Sequence, residues 1–336
     1  MDPVEALREI AFWMERSRAE TRRVQAYRKA ADVVAGLGEA ELAQHTAARS
    51  WTRLSGIGPS TAKAITQAVA GDEPDKLRDL RAAARPIGTG GRDLLNALRG
   101  DLHTHSDWSD GGSPIEEMMR RARTIGHEYC VLTDHSPRLT VANGLSRERL
   151  LQQFDVLDEL NAELAPFRVL KGIEVDILDD GSLDQDDDLL DRLDVVVASI
   201  HSKLRDDPAT MTRRMTTAVA NPRVNVLGHC TGRLVEGARG TRPESRFDAE
   251  AVFDACRTHD TAVEINSRPE RRDPPMRLLR LAEQTGCVFS IDTDAHAPGQ
   301  LDWQGYGCER AEEAGVSAER VVNSWPLDDL LAWTGR

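Results

Sequence analysis

Apolar positions in the first seventy residues recur at helical spacing. Ala6, Ile10, Trp13 and Met14 mark one amphipathic stretch, and Val24, Tyr27, Ala31 and Val34 mark a second, as expected of helices that bury one face. Residues 54–71, LSGIGPSTAKAITQAVAG, add a glycine-containing turn. Residues 72–99 contain Pro74, Pro86 and the run Gly88-Thr89-Gly90-Gly91, breakers that read as a linker. From residue 100 the pattern changes to short β-rich apolar runs separated by charge-rich helical segments. The runs cover 100–103, 129–133, 168–175, 194–200, 224–227, 262–265 and 288–291. Seven strands alternating with helices predict a parallel α/β arrangement. Nearly every run ends in His, Asp, Glu or Asn, as expected of a catalytic α/β barrel, whose site lies at the C-terminal strand ends. Seven strands make an incomplete or distorted relative of the eight-stranded barrel.

Composition adjusts this picture in three ways. The 336 residues, 40% hydrophobic, suggest about two globular domains with enough apolar material for a core. No stretch approaches the roughly 20 apolar residues of a membrane helix, and MDPVEALREI carries Asp2, Glu5, Arg8 and Glu9, unlike a signal peptide. The five cysteines form no CxxC pair, which argues against a disulfide framework and a cysteine zinc site. A cytoplasmic protein without a membrane partner is expected. The net charge of -13 is unevenly shared: residues 1–100 hold 16 Lys/Arg and 13 Asp/Glu, and the remainder 27 and 43. A mildly basic front end thus precedes a strongly acidic body.

The histidines give the acidic body a chemical reading. Six of nine stand at or just past predicted strand ends, in Asp101-Leu-His103-Thr-His105, Thr133-Asp134-His135, Ser199-Ile-His201, Gly228-His229 and Asp292-Thr-Asp294-Ala-His296. Glu174 ends another strand in Gly172-Ile-Glu174-Val-Asp176, and Asp110 follows the first cluster. Alternate residues of an extended segment point the same way, so H-x-H and D-x-H pairs can reach one mouth. Imidazoles with carboxylates suit zinc, manganese or iron. Nine candidates exceed the three or four ligands of one zinc site, so two or three divalent ions with a bridging carboxylate are expected. His45, His127 and His259 lie off strand ends and read as structural.

The motifs HTHSDWSDG, LTDHS, GIEVDI, ASIHS, LGHCTGR and DTDAH resemble, in order, those of the polymerase-and-histidinol-phosphatase (PHP) family. GIEVDILDDGSLD, EINSRPERRD and WPLDDLLAW resemble the PHP domain of bacterial family-X DNA polymerases. The resemblance implies a distorted (β/α)7 barrel over residues 100–336 with a trinuclear metal centre. It places His103, His105, Glu174 and Asp294 on one metal. Glu174 would bridge to a second held by His201 and His229, and Asp110, His135 and His296 would hold a third. Asn266 and Arg271 match family positions, and a guanidinium fork suits phosphate oxygens; Arg268 is a weaker candidate.

The front end, residues 1–71, is expected to be a small all-α domain. Leu54-Ser-Gly56-Ile57-Gly58 followed by Ser60, Ala62 and Lys63 resembles a helix-hairpin-helix, whose backbone N–H groups can hold a DNA phosphate. Arg22-Arg23-Val-Gln-Ala-Tyr-Arg28-Lys29 resembles the lyase domain of family-X polymerases. Only about thirty residues separate the two parts, which leaves no room for a polymerase palm. The Schiff-base lysine position of the lyase members is Ala64 here, so the resemblance does not carry lyase activity over. The leading expectation is a phosphoesterase acting on nicked, gapped or 3′-ended DNA, as a 3′–5′ exonuclease or 3′-end processing enzyme of DNA repair. A small-molecule phosphatase of the histidinol-phosphatase type is the second reading. A non-catalytic DNA-binding protein with structural metals is the third.

Overall fold

The computed structural model describes residues 1–237 and 240–335. They fall into two compact units, Met1–Pro86 with Ala297–Gln300, and Ile87–His296 with the chain from Leu301 onward. The first unit is all-α: α1 (Pro3–Arg16), α2 (Thr21–Ala35), α3 (Glu39–Ala48), a 3₁₀ turn at Trp51–Arg53, α4 (Pro59–Val69) and α5 (Asp75–Ala83). Asp2 caps α1 by accepting the Glu5 N–H at 2.9 Å, satisfying one donor that the helix leaves unpaired. Leu7, Ile10 and Met14 of α1 meet Tyr27 and Val34 of α2 and Ile65 of α4 in one buried cluster. Each fully buried Leu, Ile or Met there contributes about 1.5–3 kcal/mol relative to exposure, so packing, more than helix propensity, holds these short helices.

Residues 72–99, expected as a linker, are instead structured. Leu77 of α5 is buried in the helical cluster, and Leu94 of α6 (Arg92–Ala97) is buried in the main cluster of the second unit. The glycines that read as flexible are close-packing positions. A Cβ on Gly88 (φ +69°) would lie 2.6 Å from the Gly305 carbonyl oxygen, and one on Gly91 (φ +66°) 2.3 Å from the Cys308 carbonyl carbon, contacts only glycine permits.

The second unit continues with β1 (Gly100–Thr104), α7 (Ile115–Thr124), β2 (Tyr129–Leu132), α8 (Arg147–Leu164), β3 (Arg168–Asp176), α9 (Asp187–Leu190) and β4 (Val195–Ser199). After these come α10 (Pro208–Val219), β5 (Val226–Leu227), α11 (Ala249–Thr258), β6 (Ala262–Asn266), α12 (Met276–Thr285), β7 (Phe289–Asp292), α13 (Gln304–Ala314) and α14 (Leu327–Thr334). The seven strands pair in chain order, all parallel, and form a nearly closed barrel. Helices cover the strands, which explains their continuous apolar runs.

Two irregularities in β1 matter for the site. Asp101 pairs with Cys130 but Thr104 with Leu132, so β1 carries one extra residue. This bulge lets Leu102 join the cluster of Val131, Leu170 and Val197 while its neighbour His103 also reaches the interior carboxylates Glu174 and Glu264. Between β1 and β7 the ladder shrinks to a single bridge, Thr104 with Ala295. Side chains replace it: Asp292 accepts the Leu102 N–H at 2.9 Å, and Asp101 accepts the Thr293 hydroxyl at 2.5 Å. Burial pushes both carboxyls up, reinforced by Asp292 for Asp101 and by Glu264 for Asp292. Among the described residues no helix is long and apolar enough to cross a membrane.

Candidate metal centre

All nine expected ligands come together at the C-terminal end of the barrel. His103 lies in β1 and His105 just past it; Asp110 is in the following loop. His135 follows β2, Glu174 lies in β3, His201 follows β4, His229 follows β5, and Asp294 and His296 follow β7. Glu174 is the hub, only 1% exposed. Its Oε1 faces His229 Nε2 at 2.8 Å and His201 Nε2 at 3.3 Å. Its Oε2 faces His135 Nδ1 at 2.9 Å, His103 Nε2 at 3.4 Å and His105 Nε2 at 3.6 Å. His105 Nε2 also lies 3.5 Å from Asp294 Oδ1. Asp110 Oδ1 lies 3.3 Å from His296 Nε2 and 3.4 Å from His135 Nε2.

These side chains fit divalent cations. Several of the separations, 3.3 to 3.6 Å, are long for an N–H···O hydrogen bond. Two ligand atoms bound at about 2.1 Å to one tetrahedral cation would stand about 3.4 Å apart. Among the described residues, His103 Nε2, both nitrogens of His105, His201 Nε2 and His229 Nδ1 are buried without a hydrogen-bond partner, a state that buried polar atoms rarely keep. Potential ligand atoms gather in three groups: His105, Asp110, His135 and His296; His103, His105 and Asp294; His135, Glu174 and His201. Relative to the assignment implied by the resemblance, His105 also joins the Asp110 group, and His135 also stands beside Glu174.

Surrounding groups orient the imidazoles. Buried Glu264 faces His103 Nδ1 at 2.6 Å with Oε1 and accepts the His229 backbone N–H with Oε2. Asp176 bonds His201 Nδ1. Asp134 accepts from Ser106, from the Ser109 hydroxyl and from Gln153, which ties down the loop leading to Asp110. None of these three carboxylates was among the expected site residues. Asp176 stands two residues from Glu174, and Glu264 two from Asn266, so the strand period placed each on the interior face; only their partners identify their roles.

Arg271 Nε donates to Asp294 Oδ2 at 2.9 Å, while its buried Nη1 has no partner among the described residues. Asn266 donates its amide to Glu264 and to Asp294, each at 3.2 Å, so it orients carboxylates. Arg268 Nη1 donates to the Asp294 carbonyl at 3.1 Å and lies 2.9 Å from His296 Nδ1. Asp294 itself has φ +52°, a left-handed conformation that concentrates at functional sites.

Charge is finely divided in this pocket. Burial, with His296 and His135 nearby, pushes His105 down to about 3, and burial with Arg271 pushes His229 down to about 4. Burial also opposes the charge of His135, but Glu174 and Asp110 outweigh it and draw that imidazole up to about 10. Burial would raise Glu174 and Asp294. Instead His201 and His103 hold the first well below the carboxylate range, and Arg271 and Arg268 the second.

The helix-hairpin-helix domain family matches residues 1–73, and the PHP domain family matches residues 101–268. The chain belongs to the PHP family. DNA polymerase/3′-5′ exonuclease PolX of Bacillus subtilis is 41% identical to the PHP chain over 242 residues, 72% of this chain and 42% of that protein. The chain therefore spans less than half the length of this relative. A probable phosphatase of Thermoanaerobacter sp. is 28% identical over 67% of this chain and 89% of its own length. Histidinol phosphate phosphatase of Lactococcus lactis, solved with zinc, L-histidinol and phosphate, superposes with a TM-score of 0.48 at 20% identity, over 66% of this chain and 95% of that one.

In the helix-hairpin-helix unit of this PHP protein, Gly56 has φ +94°, and a Cβ there would meet Lys29 Cε at 2.9 Å. Gly58 and Ser60 are exposed at the start of α4. Ile57 is buried in the helical core, so its side chain anchors the turn. Lys63 is exposed and pairs with Asp75 at 2.8 Å. Ala64 is buried.

Proposed function

We propose that the protein is a metal-dependent phosphoesterase that processes DNA 3′ ends in the cytoplasm, removing 3′ nucleotides or 3′ blocking groups during repair. The observation that carries this reading is Glu174, whose two oxygens face separate sets of imidazoles within a complete set of nine ligands. Two or three divalent ions of the zinc, manganese or iron type would be held by His103, His105, Glu174 and Asp294; by Glu174, His201 and His229; and by Asp110, His135 and His296. Such ions supply a hydroxide nucleophile at neutral pH and neutralise charge developing on phosphate. Arg271 fixes its own aim through Asp294 and turns its unpartnered Nη1 to a phosphate oxygen. Gly56, Gly58, Ser60 and Lys63 would hold a DNA backbone phosphate at the start of α4, in nicked, gapped or 3′-ended duplex.

The DNA reading is supported by the helix-hairpin-helix match and by the identity to PolX. The second reading, a small-molecule phosphatase of the histidinol-phosphatase type, is favoured by the near-complete coverage of the probable phosphatase. Protein loaded with Mn²⁺ or Zn²⁺ separates them when given 5′-labelled gapped DNA beside histidinol phosphate and p-nitrophenyl phosphate. The expected result is a ladder shortening from the 3′ end, suppressed by salt and absent in His103→Ala. Phosphate release from the small esters with intact DNA would establish the phosphatase instead.

A further inference from the structure

The barrel unit is acidic, yet two loops beside its centre are not. Residues 229–247 and 268–277 together hold eight arginines against four acids, within residues 101–336 of net charge -16. These loops follow the neighbouring strands β5 and β6, at the ends that carry His229 and Asn266. They are stapled together: the Val235 N–H donates to the Glu270 carbonyl at 2.7 Å, and Arg233 Nε to the Arg271 carbonyl at 3.0 Å.

Four of these guanidinium groups face a carboxylate. Arg268 and Arg271 face Asp294, Arg272 faces Glu236 at 3.0 Å, and Arg277 faces Glu244. Arg233 and Arg242 differ, because among the described residues their hydrogen bonds run to backbone carbonyls. Arg242 Nε donates to Gly232 at 2.6 Å, and Arg233 donates Nε to Arg271 and Nη2 to Arg272. Each half-buried group is thereby pinned. Among the described residues neither Nη group of Arg242 nor Nη1 of Arg233 has a hydrogen bond, which leaves them for another acceptor. Arg242 also pairs its backbone with Leu234 at 2.9 Å in both directions, beside Arg233. Burial and the facing charge of Arg271 press Arg242 below the usual guanidinium range. Like charges held together at a metal-site mouth repel one another, and a polyanion relieves that repulsion. A fixed guanidinium fork matches phosphate oxygens.

The geometry points to a second phosphate position on this rim, formed by Arg242 with Arg233, which receives the phosphate next to the one at Arg271 in a nucleic-acid strand. It rests on the phosphodiester reading above and makes a strand with at least two phosphates the preferred substrate class.

The full-length protein, loaded with Mn²⁺, is given a dinucleotide with one internucleotide phosphate and a trinucleotide with two. Wild type is expected to show kcat/KM about tenfold higher on the trinucleotide, and Arg242→Gln to lose that gain while keeping the dinucleotide rate within about twofold. Binding of a labelled single strand, read by anisotropy, should show a slope of log K against log salt flatter by about 0.7 in Arg242→Gln. Arg242→Lys, which keeps the charge without the fork, should retain that slope and lose part of the trinucleotide gain. A gain and a slope that survive both Arg242→Gln and Arg233→Gln overturn the second position and leave the phosphodiester reading intact. If wild type cuts neither oligonucleotide but hydrolyses monoesters, the phosphodiester reading itself fails, and the inference with it.

Discussion

An imidazole presents a lone pair to a cation only when its other nitrogen is fixed, and losing such an outer partner typically weakens metal affinity about 10- to 100-fold. Glu264 fixes His103 through Nδ1 at 2.6 Å and also accepts the His229 backbone N–H, so one carboxylate steadies ligands from two strands. Glu264→Gln keeps the volume and removes the charge. Its metal content after dialysis, read by plasma mass spectrometry, should reflect affinity lower by about 10- to 100-fold with the circular dichroism unchanged. Wild-type retention would remove Glu264 from the centre. The nine candidate ligands were legible as a set, because eight stand at or just past the ends of short apolar runs and Asp110 follows the first of them. Glu264 was not, since a glutamate at the centre of a strand takes its meaning from His103, 161 residues away.

Elements differ in how much of their form is local. The hairpin before α4 is local: Gly56 sits at φ +94° with Lys29 packed over it. Gly56→Ala must adopt a left-handed conformation that costs an L-residue about 1–2 kcal/mol, apart from displacing Lys29. We expect a lower melting temperature for the helical unit in calorimetry, with the barrel transition unmoved; an unshifted transition would show that the turn tolerates a side chain. The β1 bulge is the opposite case. Nothing in GDLHT announces an extra residue, because the register is set by β2 across the ladder. Helices α5 and α6 were also missed, since the Pro and Gly residues around them read as breakers while the partners of Leu77 and Leu94 lie elsewhere in the chain.

At the scale of the whole molecule, metals and protons compete for one pocket. Glu174 and Asp110 hold the proton on His135 up to about 10, and a cation needs that imidazole neutral. Below that value a bound cation must displace this proton, so metal affinity must rise with pH and level off near 10. His105 and His229, held down to about 3 and 4, are already neutral and release nothing near pH 7. Titration calorimetry with Mn²⁺ in buffers of different ionisation enthalpy should therefore report net proton release near pH 7. Binding with no proton release, or tighter binding at lower pH, would contradict the charge arrangement around Glu174.

The sequence by itself determined the strand succession and the helical front end and singled out nine candidate ligands, because apolar runs, helical spacing and strand-end side chains are properties of short segments. The tertiary structure alone decided which groups hold those ligands, how β1 turns both Leu102 and His103 inward, and where residues 72–99 belong. It also decided that Asn266 orients carboxylates while Arg271 keeps a free donor. Each of these depends on register or on a partner far along the chain, and the interior of a closing barrel brings such partners within bonding distance only once every strand is in place.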